Sequence, residues 1–136
     1  MALPNGAGGY QVNDGNVNEV TLITQAAPPT ATTTATLTVA QITGGILLGS
    51  PGTAAAAYTL PTVASLEAVV SSAKVNSAFD LSVCNVDGSS SGVITMTAGT
   101  GWTIVGLATV AAVAGTTARY RARKTGDGTW TLYSLA

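Results

Sequence analysis

The sequence predicts an all-β fold: an antiparallel β-sandwich, jelly-roll-like, with one short helix and an extended N-terminal arm. Three observations point there. Short β-branched runs recur between Gly-, Pro- and Ser-rich turns, giving about eight or nine strands with a turn roughly every 8–12 residues. Only one stretch carries helical spacing, so the repeated crossover helices of a parallel α/β fold are missing. No fixed-period repeat is visible, which argues against a solenoid. The 136 residues fit one domain of residues 19–136 preceded by an arm of residues 1–18.

Taken in order, residues 1–18 are rich in Gly and Asn with isolated Tyr10, Val12 and Val17. That pattern suits neither a helix nor a central strand, and reads as a frayed terminus or as an arm ordered by contact. Tyr10 and Val12 favour the docking arm, because a purely flexible tail has no use for them. Val20 to Thr24 is a short β-branched strand, broken by Ala26-Ala-Pro-Pro-Thr30. Thr34 to Ala40 alternates and reads as a strand. Gly44-Gly45 marks a bulge before Ile46-Leu47-Leu48, and Gly49 to Gly52 is a turn. Tyr58-Thr59-Leu60 is a brief strand ended by Pro61.

Thr62 caps the single helix, whose stripe is Val63, Leu66, Val69 and Val70 and whose end falls near Ala73. Ala78 to Val86 is the clearest strand, with Phe79, Leu81 and Val83 on one face and Asp80, Ser82 and Cys84 on the other. Asp87 to Gly92 reads as a hairpin loop returning through Val93 to Thr97. Ala98 to Gly101 turns into Trp102 to Val105. An Ala-rich stretch leads to a turn near Gly115 and a strand from Thr117 to Arg123. Gly126-Asp127-Gly128 is a tight turn into Trp130 to Tyr133.

Composition bounds the chemistry. Charged residues are 8% of the chain, and Ala, Thr, Gly and Val make up more than half of it. Ordinary soluble domains carry about 25% charge, so the polar surface here is mostly hydroxyl, amide and backbone. Such a surface has little electrostatic protection against association and suits a protein that is meant to be covered. There is no His, which removes the commonest general base and metal ligand. The single Cys84 forms no intrachain disulfide and reads as a small hydrophobe in a strand. Apolar runs such as Ile46-Leu47-Leu48 are far too short to span a bilayer. No catalytic, cofactor or metal residues are assigned, and no enzyme is expected.

Four motif fragments carry little weight. Ser71-Ser-Ala-Lys74 and Lys124-Thr-Gly126 match two elements of penicillin-binding enzymes. The third element is missing and the chain is too short for that fold. Gly99-Thr-Gly101 and Gly126-Asp-Gly128 lack a Walker lysine and read as hairpin turns.

The basic strand is the most informative local feature. Arg119, Arg121 and Arg123 alternate with Tyr120 and Ala122, so the three guanidinium groups share one face. Unpaired burial of three like charges is prohibitive. The face is either solvated, or it meets carboxylates of a neighbouring subunit or of a capsid. Nucleic acid is disfavoured, because residues 1–118 hold five acids against Lys74 alone. Trp130 alternates with Leu132 and reads as core, whereas Trp102 follows a Gly-rich turn and is the candidate surface aromatic.

Several segments carry a resemblance: Thr36 to Leu47, Tyr58 to Thr62, Ser77 to Val83, Gly92 to Gly106 and Lys124 to Tyr133. Together they resemble tailed-phage structural proteins, notably marine-phage capsid decoration (cement) proteins. The resemblance covers most of the chain, and its motifs are structural rather than catalytic. It implies a homotrimer made in the host cytoplasm that binds the major capsid protein on the outer surface of the virion. No nucleic-acid or membrane partner is implied. The alternative is a fibre-like carbohydrate- or receptor-binding module using Trp102 and nearby tyrosines.

Overall fold

The computed structural model describes residues 22–136. The arm of residues 1–18, with Tyr10 and Val12, lies outside them.

Ten strands and two short helices follow one another as β1 (Thr30–Ala31), β2 (Ala35–Thr36), α1 (Val39–Thr43), β3 (Ile46–Gly49) and β4 (Ala56–Thr59), then α2 (Val63–Val69), β5 (Ala78–Asn85), β6 (Ile94–Thr97), β7 (Trp102–Val105), β8 (Thr109–Val110), β9 (Thr117–Gly126) and β10 (Thr129–Ser134). They form a six-stranded sheet in the order β1-β3-β5-β9-β10-β7 and a four-stranded sheet in the order β2-β4-β6-β8.

This overturns the all-antiparallel expectation. The fold is mixed α/β. The pairs β1–β3, β3–β5, β2–β4, β4–β6 and β7–β10 are parallel, and only β5–β9, β9–β10 and β6–β8 are antiparallel. The reason is the path of the chain. Successive strands from β1 to β8 alternate between the two sheets. Each of β1 to β4 pairs with the second strand along, after a full circuit has restored its direction. Three stacked rungs result: β1 with β2, β3 with β4, and β5 with β6. Asp87 to Gly92 is therefore a bridge between sheets and not a hairpin loop, as is Ala98 to Gly101. Only Gly126-Asp127-Gly128 joins hydrogen-bonded neighbours, β9 and β10.

The two helices occupy the returns from the four-stranded to the six-stranded sheet. Thr38 explains why Thr34 to Ala40 is not one strand. Its hydroxyl accepts from the Gln41 amide while the Gln41 side chain accepts from the Thr38 amide, a complete capping box that starts α1. Leu37 and Ile42 are buried at the two positions that staple such a start. Gly44 ends that helix and Gly45 follows at φ +89°, so the pair serves the helix exit rather than a strand bulge. Thr62 caps α2 by accepting from the Ser65 amide. Val63 and Leu66 are buried, Val69 is exposed, and the helix ends at Val69 with Val70 as its cap, short of Ala73. Leu22, Ile23 and Thr24 are exposed and form no strand.

The two helix starts are copies of one sequence. Thr36-Leu-Thr-Val-Ala40 and Thr59-Leu-Pro-Thr-Val-Ala64 share a buried Leu, a capping Thr and a buried Ile42 or Leu66 one turn later. Thr36, Thr59 and Thr97 stack in register across the rungs, and the hydroxyls of Thr59 and Thr97 are 2.8 Å apart.

The inner faces of both sheets and both helices share one core, in which Tyr58, Leu81, Ile94, Tyr120 and Trp130 are fully buried. The third rung is closed by β8 against β6 and by the β9–β10 hairpin against β5.

Candidate interaction surface

Strand β9 separates its two faces cleanly: Ala118, Tyr120, Ala122 and Lys124 are buried, while Arg119 and Arg121 are exposed and Arg123 is half-buried. The three arginines therefore stand on the outer face of the six-stranded sheet, whose inner face packs on the core. Strand pairing sets their neighbours. Arg121 lies directly opposite Asp80 on β5 and Tyr133 on β10. Its Nε donates to Asp80 Oδ1 at 2.6 Å and its Nη2 to Oδ2 at 3.0 Å, a bidentate fork within one chain. The Arg121 hydrogen bonds, followed by the charges of Arg121 and Arg119, hold the Asp80 carboxyl below the ordinary carboxylate range. Arg123 donates from Nε and Nη2 to Tyr133 Oη at 3.1 and 2.7 Å and from Nη1 to Asn76 Oδ1 at 2.8 Å. Its guanidinium also lies 5.6 Å from the centre of the Tyr133 ring.

Arg119 differs from both. Among the described residues it has no hydrogen-bonded or ion-paired side chain. It faces Ser82 on β5, which itself faces Ile46 on β3, and the Leu135 amide donates to the Arg119 carbonyl on the other side. Leu135 is 44% exposed, and Val105, opposite Tyr133, is 49% exposed. The outer face thus carries three arginines against one aspartate, set among Ile46, Leu135 and Val105. Among the described residues it holds no Lys or Glu. Arg and aromatic side chains with little Lys or Glu is the composition of interface cores.

The other sequence candidates fall elsewhere. Trp102 is 7% exposed and its Nε1 donates to the Pro61 carbonyl at 2.7 Å, so its ring is part of the core and not a surface platform. Trp102 and Trp130 lie opposite each other on β7 and β10, with ring centres 6.1 Å apart. Trp130 Nε1 donates to Glu67 Oε2, which also pairs with Lys124 Nζ at 3.0 Å. The Lys124 and Trp130 hydrogen bonds hold the Glu67 carboxyl below its usual range. Lys124 is therefore a pin between α2 and β9, remote from Ser71 and Lys74 in role. Cys84 is half-buried with a free thiol.

A pocket of about 230 Å³ opens beside the end of α2, with Val70, Ala73, Phe79 and Trp130 among its walls and no titratable side chain lining it. Among the described residues no three His, Cys, Asp or Glu side chains gather as a metal site, and no helix is long and apolar enough to cross a membrane.

Asp80, Tyr133, Asn76 and Leu135 complete the outer face and were not assigned to it from sequence. The alternation of Ala78 to Val86 places Asp80 on the polar face of its strand, but only the register shows that Arg121 is its partner. Comparison with models of protein families, with curated proteins and with solved structures yields no match to this chain.

Proposed function

We propose that this chain is a structural subunit of a tailed-phage virion. It acts as a homotrimeric decoration protein that binds the major capsid protein on the outer surface of the shell and stabilises it. The observation that carries the reading is the outer face of the six-stranded sheet. It is the outer face of a two-sheet body, rich in Arg and exposed apolar side chains, in a chain with 8% charged residues overall. The segments that resemble decoration proteins include the Thr36-Leu-Thr-Val-Ala40 and Thr59 to Ala64 copies that build both helix starts. Mechanically, a subunit that binds only the expanded shell stabilises it by mass action, and three linked copies multiply a weak contact.

The fibre-like carbohydrate reading relied on Trp102 and nearby tyrosines, and burial of Trp102, Tyr58 and Tyr120 weakens its support. Electron microscopy of particles assembled with and without this chain tests the proposal. Extra density on the outer shell, at three-fold or quasi-three-fold positions, is the expected result. Particles that never take up the chain would contradict it.

A further inference from the structure

Three charged side chains, Lys74, Arg119 and Asp127, have no side-chain partner among the described residues, and two of opposite sign, Arg119 and Asp127, stand far apart on one hairpin. Arg119 lies near the start of β9, on the outer face. Asp127 is exposed at the tip of the turn that ends β9, between Gly126 and Gly128. At about 3.3 Å per residue over a separation of eight residues they are about 26 Å apart, so they cannot meet within one copy. The remaining described acids are already held. Glu67 pairs with Lys124 and Asp80 with Arg121, while Asp87 accepts from the Ser50 hydroxyl and the Gly52 amide.

We propose that copies of this chain associate head to tail, with the Asp127 hairpin tip of one copy seated beside Arg119 on the outer face of the next. The inference rests on the trimeric reading above and names its contact. Charge decides between the possible geometries. The outer face carries three arginines and one aspartate, so two such faces meeting across a two-fold axis would oppose like charges. A contact between different patches avoids this, and contacts of that kind close into rings. The surroundings of Arg119 suit a seat for an acidic tip. Ser82 and Leu135 flank it and Ile46 lies beyond, so docking removes water from the ion pair and strengthens it. Arg121 and Arg123, braced by Asp80, Tyr133 and Asn76, already have partners within the chain.

Charge reversal read by sedimentation equilibrium tests this on the full chain. Arg119→Glu and Asp127→Arg should each weaken trimer formation by about tenfold or more. The double variant Arg119→Glu, Asp127→Arg should regain most of it. Lys74→Glu makes the same charge change as Arg119→Glu on the turn after α2, and should leave assembly unchanged. Circular dichroism would verify that each variant is folded. A trimer that survives Arg119→Glu, or that survives Asp127→Arg, would overturn the head-to-tail contact while leaving the trimeric reading intact. A wild-type monomer would overturn both.

Discussion

Asn85 shows how one buried amide can hold a fold of this kind together. It is fully buried at the end of β5, and each part of its side chain is used. Nδ2 donates to the carbonyls of Gly92 and Ala111, and Oδ1 accepts from the Gly88 amide. The bridge between the sheets is thereby folded back onto the strand that starts it. Asn85→Ala would leave the buried Gly88 amide and Gly92 carbonyl without this partner, and should cost about 3 kcal/mol in urea unfolding. The Arg121–Asp80 fork has bonds of similar length and carries charge, yet its side chains are 51% and 45% exposed. Asp80→Ala should therefore cost less than about 1 kcal/mol. The contrast follows from desolvation and not from bond length. Acid titration separates the charged groups further. Glu67 and Asp80 both have carboxyls lowered by their partners in the folded chain. Their contribution is present above the ordinary carboxylate range and is lost as pH falls through the lowered values. Stability should be flat near neutrality and decline in acid, and Glu67→Gln should flatten part of that decline in a pH series of unfolding curves.

At the scale of elements, the rungs depend on close backbone approach as much as on side chains. A Cβ at Gly92 would lie 2.1 Å from the Gly52 carbonyl oxygen, and one at Gly99 would lie 2.1 Å from that of Leu60. Both glycines let the third rung settle against the second. Gly99→Ala should cost about 3 kcal/mol or prevent folding, since backbone rather than a movable side chain is in the way. The helix starts are worth less. Thr38→Ala should destabilise by about 1 kcal/mol, as for other lost caps, and Thr62→Ala by a similar amount. Element positions were largely legible in the sequence: Thr62 as a cap, the alternation of Ala78 to Asn85, Trp102 to Val105 as a strand, and the tight turn at Gly126. Pairing direction was not, because alternation within a strand carries no information on its partner. The first helix was hidden in a run of β-branched residues, where Thr38 and Gln41 override strand propensity. The signal that could have revealed both was the Thr-Leu-(Pro)-Thr-Val-Ala copy. It marks two equivalent returns between sheets. No fixed period was visible because spacing doubles, from Ala31–Gly49 to Gly49–Asn85, as longer connections precede β4 and follow α2 in the second circuit.

For the molecule as a whole, winding between two sheets gives a rigid body with long-range contacts and few charges. The charge that exists is placed unevenly, and the strand that carries most of the positive charge lies in the middle of the larger sheet. That position was legible as an alternating basic face, whereas its internal bracing by Asp80, Tyr133 and Asn76 became visible only with the register. The same register moved Trp102 into the core and with it the case for a sugar platform. On the proposed reading, function lies in this outer surface and its contacts. The most direct test of that claim is the mass of the purified wild-type chain in solution, measured by light scattering across a range of concentrations. Three copies of the 13.4 kDa chain are the predicted result. A single copy at every concentration would contradict it.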